Sequence, residues 1–582
     1  MIGKLVRRML VAQVLSALTV SLCLLIDNMM IGRYLGVPAL AADSLANPLL
    51  LALGAVGTIL ATGVQVACGK SLGKGSQAET NVCYSTAVVT ALVFSAVFAL
   101  FAVTLHVPLA KLLGANEAQL IKDTGGYIAG FSIGAPATVL ALILIPFLQI
   151  AGQSGLLVVA VLMMTVTDVT FDLLSVFVFK GGMFGMGLAS SLSYYVAVII
   201  AGSYFLSHKC VFKFSFSGVK LSKLKEFLIG GAPTVFWLAA SVLLVFVMNM
   251  ILMDMDSSNT LVAAFTVVST IGNTSNCIST GTGGVALTLS SVLYTEEDRT
   301  GLKVLLNTLF VAAATMAAAV TAALLIFAPQ LVSLFIPEGG TYQDTVIFAL
   351  RIYSLGLLPY CINSAFKSCY QGTGRVKHME TISVLEGIVL PVAAALMLRQ
   401  TGGSSAVWCY FLVGEVLTLM GIVMWVWLKK RAVTLRTEDL LLLDSGFGVP
   451  LEDMLEADIR DINDVIDLSC AASEFCRAHG GDERLSANLA LCVEEMGTNI
   501  VTHGFAPNKK NNFSIRLQYK DNHWTLRFRD DCKAFDPVSH IADQKSSESM
   551  GIRLAMRTAD EARYTYSMNL NNLMMILCDK KR

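Results

Sequence analysis

The sequence predicts a mainly α polytopic membrane protein, with twelve transmembrane helices in two six-helix lobes, followed by a C-terminal soluble α/β domain. Three observations carry that reading. The chain of 582 residues is 55% hydrophobic and only 14% charged, a balance foreign to soluble globular chains of this length. Apolar runs of bilayer-crossing length recur as far as residue 428. Beyond Arg431 the composition becomes mixed, and short helical and alternating patterns replace the long apolar runs.

The apolar runs fall at about 9–31, 45–67, 86–106, 128–148, 156–179, 186–206, 228–253, 261–290, 304–327, 345–366, 379–398 and 407–428. The N-terminus, MIGKLVRRML, has the charge of a signal peptide, but the apolar run behind it is full length and lacks a small-residue cleavage site. It reads as a retained first span. Basic residues cluster in alternate connections: Lys70 and Lys74, then Lys209, Lys213, Lys220, Lys223 and Lys225, then Arg299 and Lys303, then Arg375 and Lys377, then Lys429 to Arg431. The other connections are sparse in charge, with Asp254 and Asp256 and single basics such as Arg33, Lys180 and Arg399. The positive-inside rule then puts both termini in the cytoplasm, in a cell membrane and in contact with its lipid. Lys+Arg and Asp+Glu both number 42, so nothing points to a nucleic-acid partner. The 13 cysteines include no C-x-x-C pair and suggest neither a disulfide framework nor a zinc site.

The basic loop divides the spans six and six, giving segments 1–206, 207–227, 228–431, a linker 432–455 and a domain 456–582. The halves echo each other. Pro136 precedes Phe147-Leu148-Gln149-Ile150-Ala151-Gly152, and Pro359 precedes Cys369-Tyr370-Gln371-Gly372-Thr373-Gly374 at a similar distance. Repeated halves are how many secondary transporters build a central cavity for a small-molecule substrate.

Acids inside apolar runs mark the candidate chemistry. Asp168 and Asp172 lie within Val158 to Phe179, four residues apart and so on one helical face. A carboxylate at the centre of a span costs about 2.5 kcal/mol or more, so that face must look into protein or a wet cavity. Asp27 in the first run supplies a third acid. Together they form a candidate cation site, for Na⁺ or for H⁺. Glu386 and Glu415 are further acids in the second half, candidates with Gln149 and Gln371 for a substrate or proton path. Gly63 to Ser71 imitates a phosphate-binding G-x-x-x-x-G-K-[ST] loop, but it has one residue too many between the glycines and ends an apolar span.

With these motifs in view, the first 430 residues resemble the multidrug and toxic-compound extrusion (MATE) family. Ile26 to Gly36 matches that family's first span and the turn after it, and Gly69 to Gly75 resembles its second-to-third span loop, with Ser76 in place of the usual acid. The resemblance implies export of organic, cationic or amphipathic molecules in exchange for a cation. It assigns the cation to Asp27, to Asp168 and Asp172 (where the family's N-x-x-x-D has Asn first), and to Ser190 in place of a sixth-span Thr. Another branch uses a seventh-span Glu after G-x-P. Here Gly231-Ala232-Pro233 is present, but the Glu position falls on Ser241.

In the C-terminal domain, 461–477 and 484–502 have helical periodicity, and 513–519 and 523–529 alternate as paired strands do. The leucine run 440–443 in the linker reads as a segment lying against the membrane or the domain. Glu495 and Asn499 share a helical face, an acid and an amide placed to polarise a hydroxyl and to hold Mg²⁺. With His503-Gly504-Phe505, Asp530-Asp531-Cys532 and Gly551, they resemble the GHKL ATPase sandwich, in particular the anti-sigma-factor serine/threonine kinases. That resemblance implies ATP and Mg²⁺ as cofactors, with Glu495 catalytic, Asn499 holding Mg²⁺, and Asp530, Asn499, His503 and Gly551 binding nucleotide. It also implies a partner of the anti-sigma-antagonist (STAS) type. Cys532 and Ser549 stand where that family has glycines, which lowers the expected affinity for ATP. Two functions remain open: an exporter with a regulatory or signalling ATPase domain, and a membrane sensor whose transporter-like part controls a kinase.

Overall fold

The computed structural model describes residues 2–208, 210–255, 260–333, 335, 341–431, 437–444, 446–506, 511–543 and 550–578. Lys209, Asp256 and Ser549, singled out above, lie outside the described residues. The first lobe is built from α1 (Ile2–Met30), α2 (Val37–Gly73), α3 (Gln77–Thr104), the short α4 (His106–Leu112), α5 (Ala118–Ile133), α6 (Ala135–Ile150), α7 (Ser154–Leu174) and α8 (Gly182–Phe205). The second contains α9 (Leu221–Met255), α10 (Thr260–Ser275), α11 (Cys277–Thr295), α12 (Arg299–Ser333), α13 (Thr341–Leu355), α14 (Leu357–Gly372), α15 (Val376–Val384), α16 (Leu390–Val407) and α17 (Tyr410–Lys430). Among the described residues, ten helical segments are long and apolar enough to span a membrane. They become twelve when the bent pairs α5–α6 (48°) and α13–α14 (42°) each count as one span. The chain is an integral membrane protein.

Helices run past the apolar runs at several ends. α1 begins at Ile2, so Lys4, Arg7 and Arg8 are helical and reach the face where the C-terminal domain sits. Three single π-helical turns interrupt the spans, at Ile31–Leu35, Ser175–Phe179 and Leu385–Val389, and each adjoins or contains one of the acids. Such turns concentrate at functional positions, because the extra residue re-aims the side chains around it.

The cores of the two lobes are arranged differently on the two sides of the membrane part. On the domain's side a single core crosses between them, joining Val64, Phe147 and Leu148 to Phe227, Leu289 and Leu302. Gly63 lies against the Phe227 carbonyl, Gly231 against that of Ile59, Gly69 against Ser291 and Gly73 against Thr295. Small residues let backbones approach this closely, which is what holds helices together where lipid removes the hydrophobic drive. On the far side the lobes have separate cores, one around Ile31, Ala42, Ile128 and Met186, the other around Met248, Phe265, Tyr353 and Trp408. The lobes thus share a core on the domain's side and pack as separate cores on the other.

The C-terminal domain is a sandwich of one sheet and one helical layer. It comprises β1 (Met454–Ile459), α18 (Ile462–Ala478), α19 (Glu483–Asn499), β2 (Phe513–Lys520), β3 (His523–Asp530), α20 (Pro537–Asp543), α21 (Met550–Thr558), β4 (Glu561–Ser567) and β5 (Leu570–Cys578). The sheet is antiparallel throughout, in the order β1-β2-β3-β5-β4. Ile515, Leu517, Leu526, Phe528, Leu573 and Met575 join Leu489, Val493 and Ile552 in the domain's core. The alternate set, Arg516, Arg527, Arg529 and Asn572, faces the membrane part, as the period of two requires. Asp521 and Asn522, and again Met568 and Asn569, have positive φ, the geometry of tight hairpin turns whose twist matches the strands. The leucine run packs on the second lobe: Leu441, Leu442 and Leu443 are buried, Tyr370 donates to the Leu440 carbonyl at 2.6 Å and Arg375 to that of Leu442 at 2.9 Å.

Candidate functional site

In the first lobe α1 packs against α7, and that crossing brings three acids together. Asp168 and Asp172 are buried, 1% and 0% exposed, and the Asp27 carboxyl faces both. The Cys23 thiol, one turn before Asp27, donates to Asp168 Oδ2 at 2.8 Å. Oxygen and sulfur atoms of Cys23, Asp27 and Asp168 lie within 4.8 Å of one another. Both oxygens of Asp172 and one each of Asp27 and Asp168 are buried without a hydrogen-bond donor. Buried carboxylate oxygens with no donor fit either a proton or a bound cation, and the oxygen donors suit a hard ion. Ser190 is buried on α8, which packs against α7, and its hydroxyl turns toward the Met186 carbonyl at 3.5 Å. Cys23 is a member of this group that sequence reasoning missed. Its place four residues before Asp27 was the available signal.

The second lobe treats its acids differently. Glu386, in the π-helical turn, pairs with Lys367 at 2.7 Å, and both are buried. Glu415 accepts from Asn363 Nδ2 at 2.9 Å. Neither Lys367 nor Asn363 was singled out from sequence, since both fall at the edge of an apolar run where a polar residue reads as an interface anchor. Gln371 donates to the Gly230 carbonyl at 2.9 Å and so ties α14 to α9. Gln149 is buried with neither amide atom partnered.

In the C-terminal domain α19 buries Leu485, Leu489, Cys492, Val493 and Met496, which leaves Glu495 and Asn499 half-buried on an adjacent face. The helix ends in a π-helical turn, Ile500–Gly504, that carries His503 exposed. A side chain at Gly551 would collide with the Glu495 carboxylate, so the N-terminus of α21 sits directly on that acid. Asp530 closes the other end of the site. It is buried, and its Oδ1 accepts from Asn571 Nδ2 at 2.7 Å and from the Cys532 backbone N–H at 2.9 Å. Burial raises its pKa above the ordinary carboxylate value despite those two donors. Cys532 therefore supplies a backbone donor where a glycine was expected, and its sulfur packs toward Gly504. Arg553, two residues past Gly551, has Nε and Nη2 buried with no acceptor. Two buried guanidinium nitrogens without an acceptor, in the first turn of a helix, fit an anionic group such as a phosphate.

Comparison with known proteins identifies both parts of the chain. Residues 13–174 and 233–395 match the MatE family, and residues 460–577 match the histidine kinase-like ATPase domain. The chain is 21% identical over 404 residues to the multidrug export protein MepA of Staphylococcus saprophyticus, covering 69% of this chain and 88% of that one. MepA of Staphylococcus aureus is 20% identical over 408 residues, with the same coverage. A crystal structure of MATE in complex with MaD3S superposes with a TM-score of 0.68 at 19% identity, over 76% of this chain and 97% of that one. An outward-facing multidrug resistance MATE transporter of the MOP superfamily gives 0.67 at 19% identity, with the same coverage. The chain belongs to the MatE family and carries a histidine kinase-like ATPase domain at its C-terminus.

Proposed function

We propose that the membrane part is a cation-coupled antiporter that exports small organic molecules, cationic or amphipathic, in exchange for Na⁺ or H⁺. The observation that supports it most is the group of buried acids between α1 and α7, whose oxygens include several without a donor. A proton or cation bound there satisfies them, and losing it leaves charge in a dry place, which biases the lobes toward another arrangement. The relatives named multidrug export proteins favour the same substrate class. Both termini lie in the cytoplasm, where ATP is available. Efflux of a fluorescent organic cation from liposomes under an imposed Na⁺ or H⁺ gradient tests the reading, and flux indifferent to both gradients would sink it.

The C-terminal domain, in the same proposal, holds Mg·ATP and serves regulation or signalling. Asp530 would accept from the adenine amino group, Asn499 would hold Mg²⁺, Arg553 would bind phosphate and Glu495 would polarise the attacking hydroxyl. The bound nucleotide supplies the transferable phosphoryl group. A second reading, in which the membrane part is a sensor for a serine/threonine kinase acting on a STAS-type partner, is favoured by Glu495, half-buried on the same helix that leads into the exposed His503. Glu495→Ala should abolish phosphoryl transfer with nucleotide still bound, because polarising the hydroxyl is a transition-state task. Asp530→Ala should abolish binding. Identical phenotypes would refute the kinase assignment.

A further inference from the structure

The outer face of the ATPase sheet is buried against loops of both lobes. From the second lobe comes the turn between α11 and α12, Glu296-Glu297-Asp298, an acidic run on a face where basic residues prevail. Glu296 pairs with Arg527 at 2.7 Å and with Arg529 at 2.5 Å, and it accepts from Asn572 at 3.4 Å. Asp298 pairs with Arg516 at 2.9 Å while capping α12 through the Gly301 N–H at 2.7 Å. Glu297 pairs with Lys520. Glu296 and Asp298 are 7% and 1% exposed, so these are buried pairs rather than surface contacts. Acids in such a loop work against the positive-inside pattern, and the arginine-bearing sheet face accounts for them.

The same sheet grips the first lobe by other means. Arg563 of β4 donates to the Lys74 carbonyl at 2.8 Å, in the turn between α2 and α3. That turn holds the place in the first lobe that the Glu296 turn holds in the second. At the β4–β5 hairpin, the Met568 N–H donates to the Ile150 carbonyl at 2.5 Å and Asn569 Nδ2 to the Gly152 carbonyl at 3.1 Å. The Met568 side chain enters the core that crosses between the lobes. Lys4 of α1 donates to Asn512 at 3.0 Å.

One hydrogen-bonded sheet therefore holds loops of both lobes, on the side where the lobes share one core. Parting the lobes there requires breaking either the Glu296 and Asp298 pairs or the hairpin contacts, because an antiparallel sheet does not stretch. We propose that the ATPase domain is a clamp, which ties the lobes together on its own side and keeps the membrane part open only on the opposite side. The nucleotide site lies on the reverse of the same strands: Asp530 follows Arg529, and Asn571 precedes Asn572, so one pair faces the nucleotide and the next faces Glu296. The proposal rests on reading the lobes as the moving parts of a transporter. Its test measures their separation rather than flux, so a failed flux assay and a failed clamp are distinguishable.

The test uses the full chain in lipid nanodiscs, with Cys210, Cys409, Cys470 and Cys578 replaced by serine. Spin labels go at Leu112→Cys and Ser404→Cys, exposed positions at the far ends of the two lobes. The parent should show one long distance. Charge reversal by Glu296→Arg, or by Arg527→Glu with Arg529→Glu, should add a shorter population as the lobes close on the far side. Combining the two reversals should return the parent distance. The near-isosteric Glu296→Gln with Asp298→Asn, which preserves shape, should shift populations in the same direction by less. Folded variants, eluting as the parent does in gel filtration, that keep the parent distance would overturn the clamp. So would a combined reversal that fails to restore it.

Discussion

Buried acids in the two lobes live in opposite circumstances. In the second lobe Glu386 has Lys367 as a cationic partner and Glu415 accepts from Asn363, so each acid has a partner within the protein, although Glu386 Oε2 has no donor of its own. In the first lobe Asp27, Asp168 and Asp172 face one another beside the Cys23 thiol, and no ion pair reaches them among the described residues. An acid with a buried basic partner is stable as it stands. A group of acids without one requires something from solution. On the proposed reading, burial alone does not mark a coupling site; burial without a basic partner does.

The largest expected effect follows directly. Asp172→Asn and Asp27→Asn should each abolish gradient-coupled efflux in liposomes while membrane insertion is unchanged or improved, since an intramembrane carboxylate is costly to insert. Glu386→Gln should retain coupled efflux. If Glu386→Gln were the inactive one, the contrast between the lobes would be read the wrong way round.

A smaller effect, on stability rather than transport, should appear where acids are paired. Lys367→Met strands Glu386 without its cation and should cost about 3–5 kcal/mol, the usual penalty for an uncompensated buried charge. Adding Glu386→Gln should recover most of it. Thermal unfolding of the three variants in detergent measures this, and a double variant no better than Lys367→Met would show that the pair is not what the lysine serves.

Much of the fold was legible in the sequence because its signals are long. Twelve apolar runs and the alternation of 513–519 and 523–529 reappear in the helices and strands. Asp168 and Asp172 were legible for the same reason, since a carboxylate in a long apolar run contradicts its surroundings. What stayed hidden was pairing. Lys367 with Glu386 and Glu296 with Arg529 join residues far apart in the chain, and each partner alone reads as an ordinary charge near a helix end or on a strand. The outward parity of Arg516, Arg527 and Arg529 was visible as alternation. That the outward face is covered by another part of the chain was not, because alternation separates two faces without saying what lies beyond either.

The smallest expected effect concerns pH and the paired acids at the domain contact. Burial alone would raise the Asp298 pKa, but Arg516, Arg529 and the Gly301 N–H overcome it and hold the carboxyl below the ordinary range. Arg516 is correspondingly raised and stays charged, Asp298 and Glu456 outweighing the burial that opposes them. An acid whose folded pKa is depressed contributes stability that is fully present above its unfolded value, near about 3.9, and is lost as pH falls through the folded value. Docking should therefore be unchanged between about pH 5 and 8 and weaken only below about pH 4. Because the pairs are buried, raising salt to about 0.5 M should also do little, where a surface pair would be screened. The distance between a label on the exposed Cys470 and one at Leu112→Cys reports docking, since one sits on the ATPase domain and the other on the first lobe. Asp298→Asn should show a weaker contact at neutral pH and lose part of the acid response. Release of the domain between pH 6 and 8 would implicate a histidine instead, and the arginine–acid pairs would then not be what holds the two parts together.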